Sequence, residues 1–492
     1  MEFQWNQTQC TYLRQELWQC QSSEQTQEIR LPEGMPDVGR ILCAWGQVML
    51  RGKQWRTDSV TVSGGVSGWI LYEPEDGTQP QCMEAWLPFQ MKWNLPGSRR
   101  EGVIRVDCCL RSMDARVLSS RKILARAAVG LQLQAMEPDQ AGIFRDEELP
   151  EGVQLLRQTY PVTLAKEAGE KVFTWEEELP LPEGPAKKLL CCQVYPVVTE
   201  QTVAGSRVVF RGECSIQMIY MTEGGLLQRH LAKVPFAQYA QLEQEYEQLA
   251  QADVVMAVAS MEPVLSENGV RLQCELIGQY MILDQQLLQV VADAYSPYQV
   301  VRPEMQTLQI PLILDRSSQM LSAQVPWMPE NGNLVDATFF PEQPVQYREE
   351  DGLQSQVGGY FQLLYYDADG ALRTNMEPWN GQWDLPAAEN SQLFVRMVGM
   401  SPVQLTGNGA EAELPMEAVS LSTQPIVMVS GLHMGEKQEP DPNRPALILR
   451  RAGDTPLWDL AKSSGSTVDA IRKANRLTGD PELGQMLLIP VP

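Results

Sequence analysis

From Ala446 the chain reads ALILRRAGDTPLWDLAKSSGSTVDAIRKANRLTGDPELGQMLLIPVP. A short apolar strand precedes a Gly-Asp-Thr sequence at 453–455. Two segments with apolar residues at helical spacing follow, the first around Trp458 and the second around Ile471. A second apolar strand closes the stretch just before Pro490. This order predicts a βααβ unit at residues 446–492.

The chain before this unit contains one pattern three times. LPEG occurs at 31–34 and 181–184, and a weaker copy, MPEN, occurs at 328–331. Each copy precedes a glycine-containing apolar strand that ends in tyrosine, then a turn, a proline-containing segment and a further strand. The three tyrosines are Tyr72, Tyr220 and Tyr366. A spacing that holds over three copies indicates internal repetition of one structural unit.

Alternation of apolar and polar residues within each copy predicts half-buried strands separated by Gly, Pro, Asp and Asn turns. We therefore expect a mainly β protein with three antiparallel domains, each a sandwich or open barrel, followed by the βααβ unit. Residues 237–252 have helical propensity, but their counterparts in the other copies do not, so we expect a loop with at most a short helix. The expected divisions are 1–147, 148–300, a divergent third repeat at 301–434, a linker at 435–445, and 446–492.

The formal net charge of the chain is −23. The C-terminal unit has a net charge of +1, and the rest of the chain has a net charge of −24. A surface this acidic argues against nucleic acid and against direct attraction to an anionic membrane. A basic partner and simple solubility account for the charge equally well. No apolar run approaches the length that spans a bilayer, and the N-terminus lacks the pattern of a signal peptide, so we expect a cytoplasmic protein without membrane insertion.

The ten cysteines are expected to be reduced and to act as small apolar residues on strands. No ligand spacing for zinc occurs, and the chain has two histidines, His230 and His433. No nucleotide-binding loop and no nucleophile elbow is present. We therefore expect neither a cofactor, nor a metal, nor catalysis, although a hydrolase built from distant carboxylates stays open as an alternative.

The C-terminal unit resembles a LysM domain, because GDT, Trp458, the Ala-Asn pair at 474–475 and the closing GQMLLIP segment follow that pattern. The resemblance implies binding of N-acetylglucosamine-type glycans, as in peptidoglycan, between two loops. Pro456 is an insertion relative to the usual pattern and lies in one of these loops, which favours a protein ligand at the same surface. The resemblance places this surface at Gly453, Asp454, Thr455, Pro456, Asn475, Arg476, Leu477 and Pro481.

The repeats resemble the SPOCS domain through their LPEG elements and tyrosine-ending strands. The full layout resembles the SipL-like family of spore coat morphogenetic proteins. This resemblance implies a scaffold in the mother cell, at the outer forespore membrane, that binds the coat-basement ATPase stage IV sporulation protein A through its LysM domain, together with other coat proteins. Glycan binding in peptidoglycan or cortex is the alternative.

The residues of the C-terminal unit also allow structural roles. Trp458 is expected to be a core residue, and Asp454 and Thr455 are expected to cap the first helix. Three cations on or just after the second helix are either a solvated face or a face for an acidic protein partner. They are Arg472, Lys473 and Arg476.

Overall fold

The computed structural model describes residues 7–95, 101–144, 152–182, 184, 186–247, 249–328, 332–349, 352–385, 392–437 and 445–491. The predicted mainly β architecture with a C-terminal βααβ unit is confirmed. Residues 438–444 of the predicted linker, and residues 183 and 329–331 of the repeated motif, lie outside the described part of the chain.

The first repeat is built from two antiparallel sheets. Its strands are β1 (Gln7–Arg30), β2 (Val38–Arg56), β3 (Ser59–Pro74), β4 (Gln81–Asn94), β5 (Val103–Ser119) and β6 (Lys122–Phe144). One sheet has the order β1-β6-β5 and the other has the order β2-β3-β4. The first and last strands of the repeat are therefore neighbours, and β2, β3 and β4 form the second layer.

The second repeat has the same arrangement with two strands merged. Its strands are β7 (Gln154–Pro180), β8 (Ala186–Thr222), β9 (Leu227–Tyr246), β10 (Gln251–Leu265) and β11 (Gly269–Tyr295). One sheet has the order β10-β11-β7, and β8 pairs with β9. Strand β8 doubles back near Gly205, whose φ is 60°, so that Thr199 Oγ1 donates to the Arg211 carbonyl.

The third repeat keeps the two sheets with more interruptions. Its strands are β12 (Gln299–Pro326), β13 (Asn333–Pro341), β14 (Val345–Glu349), β15 (Gly352–Tyr366), β16 (Leu372–Leu385), β17 (Gln392–Met397), β18 (Gln404–Thr406) and β19 (Gly409–Lys437). Strand β19 pairs with β12, β17 and β18, and β15 pairs with β13, β14 and β16. The C-terminal unit adds β20 (Leu447–Arg451), α1 (Leu457–Ser464), α2 (Val468–Asn475) and β21 (Met486–Pro490).

The expectation of a loop at 237–252 is wrong for most of that segment. Strand β9 continues through Tyr246 and stays paired with β8. Val234, Phe236, Ala240 and Leu242 are buried at even positions, while their odd-numbered neighbours are exposed. This period of two allows a helix-favouring composition to be held as a strand, because burial of one face outweighs intrinsic propensity.

The glycines of the repeated strands have a packing role. Each lies directly opposite the aromatic residue of the proline-containing segment, in the pairs Gly64–Phe89, Gly212–Phe236 and Gly359–Trp379. A Cβ atom added to Gly212 would lie 1.9 Å from the Val197 carbonyl oxygen and 2.7 Å from the Phe236 ring. Only glycine allows this approach of backbone to backbone, so the repeated Gly and Pro-aromatic motifs form one cross-strand unit.

The motif turns also rely on glycine. Gly34 and Gly184 have φ values of 92° and 87°, in the region that residues with a side chain rarely adopt. In the third copy, where asparagine replaces the motif glycine, the next residue, Gly332, has a φ of 111°. The third copy therefore has its positive-φ glycine one position later in the sequence.

The three repeats share a central apolar cluster, here called the stem cluster. The first and last strands of every repeat contribute to it, with Cys10, Tyr12, Ala141, Val162, Leu164, Leu288, Val290, Leu308, Ile310, Ile426 and Met428. The repeats are thus packed around a common core. Each depends on the other two for burial of these side chains.

Two buried aspartates also join the repeats. Trp45 of the first repeat donates its indole N–H to Asp336 of the third at 2.8 Å, and Arg229 of the second lies 3.0 Å from the same carboxylate. Asp253 of the second repeat forms ion pairs with arginines of the first and third repeats. The partners are Arg105 at 3.1 Å, Arg396 at 3.1 Å and Arg316 at 3.2 Å.

All ten cysteines carry free thiols and lie on strands, as predicted. Seven are buried, and burial is the largest cause that raises the pKa of thiols such as Cys192, which reaches about 12. Among the described residues, neither helix has the length and apolar character needed to cross a membrane.

Candidate functional site

The C-terminal unit has a small core of its own. Strands β20 and β21 pair antiparallel, with Ile448 opposite Ile489, and the two helices pack on them. Trp458 is buried in this core, as predicted, together with Ile471 and Leu487. The unit thereby holds its two connecting loops, β20–α1 and α2–β21, at fixed positions.

The expectation that Asp454 and Thr455 cap helix α1 is wrong. The residue at the N-cap position is Pro456, and no side chain accepts a hydrogen bond there. The insertion of Pro456 moves the helix start beyond the two side chains that could have capped it. Helix α2 is capped by Thr467, whose hydroxyl accepts a hydrogen bond from the Ala470 N–H at 3.1 Å.

Asn475, a predicted surface residue, is used to hold the unit together. Its amide nitrogen donates to the carbonyls of Ile471, at 2.8 Å, and Leu488, at 2.6 Å. Its amide oxygen accepts the Leu488 N–H at 2.7 Å. The side chain thus joins the end of α2 to β21, and its polar atoms already have protein partners.

The other predicted surface residues lie on the two loops. Gly453, Asp454, Thr455 and Pro456 are exposed on the first loop, whereas the second loop carries exposed Arg476 and half-buried Leu477 and Pro481. Leu477 packs against the core of the unit, and Arg476 has a φ of 52° at the C-cap of α2. The predicted surface therefore consists of residues that the fold exposes together with two, Asn475 and Leu477, that it uses internally.

The predicted basic face is present and exposed. Arg472 and Lys473 lie in the last turn of α2, and Arg476 follows it. Within the described parts of the chain, no acidic side chain forms an ion pair with these three cations. This face contrasts with the strongly acidic remainder of the protein.

The C-terminal unit is docked on the second repeat through Asp293. This carboxylate accepts the Trp458 indole N–H at 2.8 Å and lies 2.7 Å from the Lys462 ammonium. Tyr295 packs edge-on against Trp458 at a centroid distance of 4.8 Å and donates its hydroxyl to the Ser466 carbonyl at 2.9 Å. We call these contacts the latch.

Sequence reasoning missed the latch because its two sides are far apart in the chain. Asp293 and Tyr295 lie at the end of a β-strand that carries no motif. Trp458 fits the apolar pattern of its own unit. The spacing of apolar residues therefore does not reveal that Trp458 also contacts Asp293 and Tyr295.

A cavity of about 580 Å³, here called the groove, lies between the C-terminal unit and β7. Pro456 from the first loop and Asp480 from the second line one side, and strand β7 lines the other. The complete lining is Val153, Gln154, Leu155, Leu156, Arg157, Pro456, Leu457, Trp458, Val468, Asp469, Arg472 and Asp480. Of the eight residues of the predicted surface, only Pro456 lines the groove. The rest of the lining from the C-terminal unit comes from its two helices and from Asp480.

A second cavity, of about 240 Å³, lies where the three repeats meet. Asp107, Asp253, Arg396 and Glu417 line it. Burial raises the pKa of Asp107 to about 6, and the guanidiniums of Arg396 and Arg111 offset this only in part. Burial also raises the pKa of Asp253, but the arginines around it outweigh that effect and hold its pKa well below the ordinary range.

No group of three or more histidine, cysteine, aspartate or glutamate side chains within the described residues has an arrangement that could hold a metal ion.

Comparison with known proteins identifies the C-terminal unit. No curated protein and no solved structure matches the chain. Residues 451–490 match the family model of the LysM domain. The groove is thus bounded on one side by the two helices of a LysM domain, together with Pro456 and Asp480 from its loops.

Proposed function

We propose that this protein is a non-catalytic scaffold for spore coat assembly on the forespore surface. The LysM domain docks onto the coat-basement ATPase, stage IV sporulation protein A, and the repeats offer surfaces to other coat proteins. The observation that carries the proposal is the exposed basic face of the LysM domain on an otherwise acidic protein. The resemblance of the repeats to the SPOCS domain supports the assignment to the coat.

The basic face favours a protein partner with an acidic surface. Arg472, Lys473 and Arg476 are exposed within one turn of each other, and opposite charges across an interface steer association and fix its orientation. The shared stem cluster supports a scaffold role, because a body whose repeats pack on one another presents its surfaces in a fixed geometry.

Pull-downs with the full chain test the proposal. Stage IV sporulation protein A should be retained by the wild-type protein and lost when Arg472, Lys473 and Arg476 are all changed to Glu. A variant in which the exposed Arg450 and Arg451 are changed to Glu is the charge control and should retain the ATPase. Equal retention of the ATPase by all three proteins would show that the basic face is not part of the interface.

Localisation tests the cellular part of the proposal. A fluorescent fusion is expected in the mother cell as a shell around the forespore. An even distribution through the mother-cell cytoplasm would contradict the scaffold role. A screen of cell-wall and nucleotide substrates that detects turnover would contradict the non-catalytic role.

Peptidoglycan binding is the second candidate, and the LysM match itself favours it. Gly453, Asp454 and Thr455 stay exposed on one loop and could contact a sugar. Titration of chitin oligomers against the full chain by calorimetry tests this candidate. Absence of heat at millimolar oligomer would dispose of it, and retention on purified sacculi without retention of the ATPase would make glycan recognition the function.

A further inference from the structure

We propose that the groove binds an extended acidic peptide segment of a partner protein, which adds as a strand to the free edge of β7. The inference rests on the proposed function in one respect, namely that the LysM domain docks a protein. It adds the chemistry of the docked segment and the repeat that helps to bind it.

The groove runs along the edge of a strand. Four consecutive residues of β7, 154–157, and the residue before them, Val153, line it. On the face of a sheet only alternate residues point to one side, so a lining of consecutive residues indicates contact with the strand's edge. In the described sheet order β10-β11-β7, strand β7 is terminal, and none of the described strands pairs with its second edge.

The register identifies a residue whose backbone faces the groove. Leu155 lies opposite Ala294 of β11, and the Ala294 N–H donates to its neighbour Asp293 at 2.8 Å. In an antiparallel pair, residues that do not exchange hydrogen bonds with each other direct their N–H and C=O groups away from the partner. The backbone of Leu155 is therefore directed toward the free edge, where an added strand can pair with it.

The LysM wall supplies contacts for the side chains of such a strand. Pro456 and Val468 offer apolar surface, and Arg472 offers a cation that belongs both to the groove and to the basic face. Asp469 and Asp480 also line the groove. Their negative charges disfavour acidic peptide residues that would lie next to them. A segment that leaves the groove past Arg472 crosses Lys473 and Arg476, which favours acidic residues there.

The same wall is poorly suited to a sugar. The Trp458 ring is packed against Tyr295, and its N–H is donated to Asp293. The polar atoms of Asn475 are bonded to the backbone. The Trp458 indole and the Asn475 amide, which could stack on or hydrogen-bond to a sugar, are thus engaged within the protein, whereas a strand edge binds any extended backbone.

A synthetic peptide of ten alternating valine and glutamate residues, labelled with fluorescein, tests the proposal by anisotropy with the full chain. Arg472→Glu is expected to weaken binding about tenfold or more, while the matched control Arg450→Glu changes it less than about twofold. Leu155→Pro, which removes the outward N–H, should abolish binding, and Leu155→Ala, which keeps it, should not. The peptide should also slow amide hydrogen exchange of Leu155 in the wild-type protein, a readout that does not depend on the proline variant folding.

Several results would overturn the proposal. They are no binding of the glutamate peptide, equal binding of a peptide with lysine in place of glutamate, or equal effects of the two arginine substitutions. Displacement of the bound peptide by a chitin oligomer would assign the groove to glycan instead. If the coat ATPase is retained by Arg472→Glu and by Leu155→Pro, the groove inference fails while the scaffold proposal stands. If the peptide binds and the ATPase is not retained by any form, the scaffold proposal fails and the groove remains.

Discussion

Replacing Asp293 with alanine should release the LysM domain from the second repeat. The substitution removes the acceptor of the Trp458 indole N–H and the partner of the Lys462 ammonium. A hydrogen bond to a charged group contributes about 1.5–3 kcal/mol, and an ion pair as exposed as this one contributes at most about 1 kcal/mol. We therefore expect docking to weaken by about 2–3 kcal/mol, which is roughly 30- to 150-fold in the equilibrium constant.

Hydrogen exchange measured by mass spectrometry should detect this loss. Docking stabilises the LysM domain by mass action, so amide exchange in α1 should accelerate by a similar factor while the first repeat is unchanged. Asp459→Ala, an exposed aspartate on the same helix, is the control and should alter exchange by no more than about twofold. If α1 exchanges at the wild-type rate in Asp293→Ala, the latch does not hold the domain and the geometry of the groove is not fixed by it.

Three further substitutions test the body of the protein, each read from urea unfolding. Trp45→Phe leaves the buried Asp336 without its indole donor and should lower the free energy of unfolding by about 1–3 kcal/mol. Gly212→Ala places a Cβ atom 1.9 Å from the Val197 carbonyl oxygen and should cost about 1–3 kcal/mol. Asp107→Asn should raise the free energy of unfolding by about 3 kcal/mol at pH 7.5, because ionisation is penalised only in the folded state, where the pKa is about 6 against about 3.9 when unfolded. This gain should shrink as the pH falls from 7 to 4.

Each of these substitutions has a matched control. Trp86→Phe alters an indole that is 41% exposed, and Gly224→Ala adds a Cβ atom whose nearest neighbour is 3.8 Å away. Glu84→Gln neutralises an exposed carboxylate. The first two controls could lose as much stability as their test variants. That result would contradict the roles given to the Trp45 hydrogen bond and to the close backbone contact at Gly212. A gain for Asp107→Asn that does not vary with pH would show that its cause is packing rather than charge.

The strands of the body could be predicted because their information is local. Alternation and a constant order of motifs define each strand, and the same glycine–aromatic pair recurs because backbone contact at Gly64, Gly212 and Gly359 excludes a side chain. Residues 237–246 were missed because their alternating buried positions include alanine, whose small side chain gives a weak signal of burial. Tertiary pairing with β8 decided the structure of that segment.

The candidate site could be predicted only within the LysM domain. Loop positions follow from the helices, so Pro456 and Arg476 were correctly placed on exposed loops. The roles of Asn475, which bonds to β21, and of Asp293, which holds the latch, depend on partners distant in sequence. Periodicity describes how a segment meets its own neighbours and contains no information about such long-range pairing.

The stem cluster also determines when the chain can finish folding. Tyr12 is buried in a cluster that includes Met428, so the first repeat completes its packing only after nearly the whole chain has been made. At about 5–20 residues per second, roughly 20–80 seconds separate synthesis of these two residues. During that interval the apolar ends of β1 and β6 are open to solvent, and contacts of such long sequence separation form slowly. The nascent chain is therefore expected to recruit chaperones at its N-terminal repeat.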